Sequence, residues 1–243
     1  MVQATRRLLL SGTALVCLAG SGLARTVTGA LPWSPNEVYP PQGAHPGPWL
    51  FLTAEEAVAL DSIVARLIPA DDLGPGAKEA GCTVFIDRQL AGPYGGHDWL
   101  YMQGPFPANP LPSQGLQSPL TPRQQYRQGL AALDSHCKTN FANRSFAQLG
   151  NEEQDGLLAG LEKNEVKLPG FDGRMLFTAV YGNTMEGFFA DPVYGGNRDM
   201  VGWKLTGFPG ARYDYRDVLQ KPNVAYDVPP VAMMGRPAWG QPA

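Results

Sequence analysis

Between Thr53 and Ile68 the apolar residues Ala57, Leu60, Ile63, Val64, Leu67 and Ile68 fall on one stripe at helical spacing. Thr53 stands three residues before Glu56, the arrangement of a capping box, and Leu52 just ahead is a candidate staple. Pro69 predicts the end of this first helix. A turn over Asp71-Asp72-Leu73-Gly74-Pro75-Gly76 leads to a second predicted helix from about Ala77 to Leu90. Ala80, Val84 and Leu90 mark its apolar side, Phe85 and Ile86 broaden the face, and Gly92-Pro93 stops it. Thr121-Pro122 opens a third helix, with Tyr126, Leu130, Leu133 and Cys137 recurring on one side. Asn151 and Gln154 suggest a capping box for a short helix carrying Leu157, Leu158 and Leu161. Phe171 to about Phe189 predicts a last long helix, with Leu176, Phe177, Val180 and Met185 inward. No alternating run of strand length stands out. The predicted class is all-α, a single helical domain with long loops.

Between these elements the pattern disappears. The 29 glycines and 23 prolines form about a fifth of the 243 residues, against roughly 12% in an average protein. Residues 25–50 lack either period but interleave Trp33 and Trp49 with prolines, as in an extended arm. Such an arm is either a linker or a strap packed on a surface, since proline lowers the entropic cost of ordering and aromatics supply contact area. The excursion 92–120 carries Tyr94, Trp99, Tyr101 and Phe106, and unstructured stretches of that length inside a domain are usually functional or disordered. Its aromatics weigh against disorder. Asp191-Pro192-Val193-Tyr194-Gly195-Gly196-Asn197 describes a compact turn with positive φ expected at Gly195 or Gly196. It either serves structure alone or presents Tyr194 and Asn197 to a partner. Trp33, Trp49, Trp99, Tyr101, Phe106, Tyr194 and Asn197 are therefore the candidate docking residues. From Trp203 the chain is punctuated by Gly and Pro, and residues 216–243 are expected to meander over the helical body.

The amino terminus has a different character. Arg6-Arg7 precedes the apolar stretch Leu8–Gly20, and Gly22-Leu23-Ala24 offers small residues for cleavage. That is the pattern of an export signal over 1–24, the alternatives being an uncleaved signal lying against the membrane or a ragged basic terminus on a cytosolic protein, and the paired arginines suggest the twin-arginine route. About thirteen apolar residues are short of the ~20 needed to span a bilayer. Removing Arg6 and Arg7 takes the formal charge from −3 to −5, and no basic block remains to bind nucleic acid. With Cys17 in the signal, Cys82 and Cys137 are left. In an oxidising compartment they are expected to form one internal disulfide, the alternatives being separate thiols or a bridge to another subunit.

Motifs for catalysis are missing. The sequence has no dinucleotide or phosphate-loop fingerprint, no Cys-x-x-Cys, no Gly-x-Ser-x-Gly and no His-Glu-x-x-His. His136 and Cys137 are adjacent on a helix and so point about 100° apart, which does not make a nucleophilic pair. Asp71 and Asp72 fit a turn, and Asp87 with Arg88 is expected on the solvated or salt-bridged side of its helix.

Several strings have a family resemblance. Leu67-Ile68-Pro69-Ala70-Asp71-Asp72, Gly74-Pro75-Gly76-Ala77, Phe85-Ile86-Asp87 and Gln89-Leu90-Ala91-Gly92 resemble the small subunit of membrane-associated gluconate 2-dehydrogenase complexes. Gly187-Phe188-Phe189-Ala190-Asp191-Pro192-Val193-Tyr194-Gly195-Gly196-Asn197 and Trp203-Lys204-Leu205-Thr206-Gly207-Phe208-Pro209-Gly210 are similar to the same family's carboxyl-terminal signature. The resemblance covers roughly residues 50–215, and the helical small-subunit domain is placed at 51–215. It implies a chain with no catalytic centre and no cofactor of its own. The expected partners are a large FAD-containing dehydrogenase subunit, a multi-haem cytochrome c subunit carrying haem c, and the twin-arginine export machinery. It also implies a periplasmic location at the outer face of the cytoplasmic membrane. Two other readings compete: an independent periplasmic enzyme using the His97/Asp98 or Asp191 region, and a periplasmic small-ligand binding protein.

Overall fold

The computed structural model describes residues 48–107, 111, 113, 117–212, 215–226 and 228–233, all within one compact unit. Seven α-helices occur among them, and no strand. Helix α1 spans Ala54–Leu67 and starts as the sequence predicts: Thr53 Oγ1 accepts from the Glu56 N–H at 3.2 Å, and Glu56 Oε2 accepts from the Thr53 N–H at 2.9 Å. Its stripe of Ala57, Leu60, Ile63 and Val64 is buried. The chain then turns through 71–74, where Asp71 and Gly74 exchange backbone hydrogen bonds and Asp71 Oδ1 accepts from Leu73 N–H.

Helix α2, Cys82–Ala91, starts later than its periodicity suggests. Residues 77–81 are successive turns ending on Gly81 at φ 80, a left-handed conformation that favours glycine. The cause is tertiary. Arg198 N–H donates to Ala80 O at 2.9 Å, and a Cβ on Gly81 would lie 3.0 Å from Gly195 O. A loop more than a hundred residues downstream occupies the space that another helical turn would need.

A four-residue helix, α3 (Pro93–Gly96), follows directly, so the 92–120 excursion opens with structure of its own. Helix α4, Pro122–Asn140, has Thr121 as its cap, reciprocated by Gln124. Helix α5, Asn151–Glu162, is capped one residue earlier than expected: Glu153 Oε2 accepts from the Gly150 N–H, while Gln154 turns inward to donate to Phe146 O. Helix α6, Gly173–Phe189, takes Asp172 as its cap, and α7 is the short Val201–Thr206.

Helix α6 is the hub, in contact with α1, α2, α4, α5 and α7. Leu60, Ile86, Tyr126, Leu161, Val180 and Phe188 sit in one core around it. Glycines permit close approach at its end. A Cβ on Gly196 would lie 2.2 Å from Gly187 O, and one on Gly202 would lie 2.1 Å from Phe188 O. The tail is held as well as laid down. Ala211 and Val231 are joined by a backbone bond, Val231 N–H donates to Pro209 O, and Ala232 packs with Met200 and Trp203 in a second small cluster.

A candidate docking surface

The entry to α1 depends on Asp87, which corrects its expected place on a solvated helix side. Its side chain lies on the inner face of α2 and is 2% exposed. Oδ2 accepts from Leu50 N–H at 2.8 Å, and Oδ1 accepts from Phe51 and Leu52 N–H at 2.9 Å each. Three successive backbone donors just ahead of a helix have no helical partner, and a buried carboxylate is the group able to take all of them. The residue lies one position past Ile86 and three before Leu90, so a carboxylate inside an apolar stripe was the available sequence signal. Arg127 completes the clamp from α4. Its Nη2 donates to Phe51 O at 2.9 Å, its guanidinium lies 4.4 Å from the Phe51 ring centroid, and Nη1 pairs with Glu56.

The second feature is a ledge built on the end of α2. Arg123 donates to the carbonyls of Leu90, Ala91 and Gly92 at 2.6, 2.8 and 2.9 Å, satisfying the orphan acceptors of the helix terminus. His97 then takes φ 54, and its N–H donates to Tyr94 O. The His97 side chain is buried with Nδ1 3.3 Å from Met102 Sδ, and burial pushes its pKa below the ordinary histidine value. Beneath, Tyr126 Oη donates to Asn183 Oδ1 at 2.8 Å, Asn183 Nδ2 donates to Glu186 Oε2 at 3.0 Å, and Tyr94 Oη meets Asn183 at 3.2 Å. Burial holds both phenols above the ordinary tyrosine value. On this tied-down base stand Trp99, Leu100 and Tyr101 at 65%, 47% and 81% exposure.

Trp99 and Tyr101 thus share the ledge, while Phe106 is only half exposed. Trp49 is exposed beside the Asp87 clamp. Tyr194 is exposed on a separate turn beyond α6. Asn197 is not a docking residue: it is fully buried, its Nδ2 donates to Ala190 O at 2.8 Å, and its Oδ1 accepts from Gly202 N–H at 2.9 Å. Positive φ occurs at Gly195 as expected, and also at Asn197 itself. Asp191 is similarly occupied, with Oδ1 on Val193 N–H and Oδ2 on Met233 N–H. Arg6, Arg7 and Trp33 lie outside the described residues.

The expected disulfide is not formed. Cys82 and Cys137 are buried free thiols. Cys82 begins α2 and points at α6, its Sγ 3.7 Å from Thr184 O, whereas Cys137 lies in the last turn of α4. Burial raises their pKa values to about 12 and about 11. Neither is an activated thiol at neutral pH. Among the described residues no cluster of His, Cys, Asp and Glu is placed to hold a metal ion, and no helix is long and apolar enough to cross a membrane. Between α1 and α4 runs a groove of about 600 Å³, floored by Leu130, Leu133 and Phe146 and edged by the Arg127–Glu56 and Lys138–Asp134 pairs.

These features define an all-α chain whose polar side chains are spent on internal fastening and whose aromatic ledge faces outward. The family model described as gluconate 2-dehydrogenase subunit 3 matches residues 54–210, and the chain belongs to that family. It is accordingly a subunit type of a gluconate 2-dehydrogenase complex, with partner subunits implied. No curated protein and no solved structure matches the chain.

Proposed function

We propose that this chain is the non-catalytic small subunit that binds, stabilises and co-exports an FAD-dependent sugar or sugar-acid dehydrogenase. Gluconate oxidised to 2-keto-gluconate is the favoured reaction, with electrons passing through a cytochrome c subunit to quinone. FAD and haem c belong to the partners, and the assembly sits at the periplasmic face of the cytoplasmic membrane. Family membership supports the subunit role. The observation that carries the docking role is the ledge: three consecutive large apolar side chains stay exposed on a base fixed by Arg123, His97 and the Tyr126–Asn183 bond. Apolar surface on a rigid support, free of ordering cost, is what a tight interface uses.

Association stabilises both partners by mass action. A folded flavoprotein without its own signal would then cross with this chain, guided by Arg6 and Arg7. Purification of the chain from native membranes tests the complex: a flavin-containing partner is expected to accompany it, and recovery of the chain alone overturns the proposal. Replacing both Arg6 and Arg7 by Lys tests co-export. Both subunits should remain in the cytoplasm, and continued export of the flavoprotein refutes its dependence on this signal.

A further inference from the structure

We propose that the groove between α1 and α4 seats one amphipathic helix of a partner subunit, as a second docking site apart from the aromatic ledge. Helices α1 and α4 each pack on the hub α6, but not side by side against each other. The gap between them is the groove of about 600 Å³, with the buried Leu130, Leu133 and Phe146 as its floor. Its width is fixed twice over. The turn Phe146–Gln148 touches both helices, and Arg127 of α4 reaches across to Glu56 of α1. The described helices thus leave one position in their layer unfilled.

The walls select a helix. On α4, Arg127, Leu130, Ala131, Asp134 and Lys138 line the groove and fall on one face at helical spacing. That face is about 16 Å long at ~1.5 Å per residue, the length of three helical turns. Ala54, Val58 and Ala59 of α1 line the other wall. Beyond the first turn of α1, both walls have their backbone hydrogen bonds inside the helices. An extended strand would find no partners there, whereas a helix brings its own. The small side chains of Ala54, Ala59 and Ala131 let its axis approach to the ~8–10 Å of ordinary helix packing.

Charge and shape then narrow the occupant. The floor and Val58, which is 57% exposed, call for an apolar stripe. At the rims Arg127 is paired with Glu56 and Lys138 with Asp134, while no cation among the described residues pairs with Glu55. The occupant is therefore expected to carry Lys or Arg at the end that meets Glu55. A second copy of this chain fits poorly. A two-fold contact would set concave groove against concave groove, leaving a hollow, and would bring two unpaired Glu55 carboxylates into one interface. Family membership supplies the other source, since a subunit type has partner subunits. That the helix belongs to a partner subunit rests on the subunit reading above, whereas the preference of the groove for a helix does not.

The test is photo-crosslinking in the complex purified from native membranes, with p-benzoylphenylalanine placed at Val58 or at Ala131. The exposed Glu162, on α5 and outside the groove, is the control position. Both groove positions should crosslink, at least fivefold above the control, to one segment of a partner subunit. Mass spectrometry should show that segment to have apolar residues at helical spacing and Lys or Arg at one end. A crosslink to another copy of this chain, to the chain's own residues or to a segment without that spacing overturns the proposal, as does no crosslink above the control. In each case the subunit reading survives, because the complex was recovered. Absence of any partner subunit from the purified chain defeats both. Affinity gives the second measurement. Ala131→Trp fills the groove from an exposed position and should weaken association with the partner at least tenfold, with thermal unfolding unchanged. Glu55→Lys should weaken it at least threefold, and less as salt is raised. Undiminished association in both variants overturns the proposal.

Discussion

Asp87 Oδ1 accepts the backbone N–H of Leu52 at 2.9 Å, joining the middle of α2 to the residue that precedes the cap of α1. Leu50 and Phe51 share the same carboxylate, so one buried side chain sets where the helical body begins. Removing it leaves the buried Leu52 N–H without an acceptor. Asp87→Ala is expected to cost about 3 kcal/mol. For a chain of this size that is a fall in Tm of roughly 6–12 °C. Thermal unfolding by circular dichroism checks it, and a change under 2 °C would mean the three bonds contribute little.

The turn after α6 offers a contrast between neighbours. Asn197 bridges Ala190 O and Gly202 N–H while itself in left-handed backbone, whereas Tyr194 three residues earlier is half in solvent. Asn197→Ala should destabilise by about 2 kcal/mol, and Tyr194→Ala by no more than about 0.5 kcal/mol. Paired urea titrations read the difference directly. Equal losses would contradict the structural role given to Asn197.

Alkaline pH should loosen the fold in a defined window. Burial raises the Cys82 and Cys137 thiols to about 12 and about 11 from an ordinary 9.0, and lifts Tyr94 and Tyr126 as well. Well below pH 9 these groups are neutral in both states, so their burial carries no pH-dependent penalty there. As pH approaches 9 the unfolded thiols ionise first, and stability declines as pH climbs toward the folded values. Urea midpoints measured from pH 8 to 11 should fall, less steeply in Cys82→Ala than in wild type. Both thiols should also resist alkylation at pH 8 until denaturant is added.

The ledge is where function and stability should separate. Trp99→Ala combined with Tyr101→Ala removes two exposed rings from a base that does not depend on them. Stability is expected to move by no more than about 0.5 kcal/mol. Affinity for the proposed flavoprotein partner should drop by at least about 2 kcal/mol, roughly 30-fold. Size-exclusion chromatography of mixed subunits, or calorimetry, gives the answer. An undiminished complex would move the docking surface elsewhere on the chain.

The helices themselves were legible from the chain because their stripes, caps and breakers are local. Thr53 with Glu56, Thr121 with Pro122, and the apolar spacing of 57–64 each act within one or two turns. Errors fell where a distant segment intervened. The start of α2 moved from Ala77 to Cys82 because the 195–198 loop lies against Ala80 and Gly81. Cap identity at α5 shifted by one residue because Gln154 was drawn inward to Phe146 O.

Side-chain roles divide in the same way. Sequence alone determined the helical class, most helix ends and the family's strings. It also marked the 92–120 excursion as an aromatic-bearing surface, from composition and the failure of periodicity. What only the tertiary structure decided was which polar groups are internal fasteners. Asp87, Arg123 and Arg127 all have hydrogen-bond partners that no local spacing brings to them. The two cysteines are free thiols for the same reason, Cys82 Sγ meeting Thr184 O of α6 rather than Cys137. A periodic stripe tells which face turns inward, but the partner of a buried polar atom depends on which element arrives opposite it. That is fixed only when the helices pack.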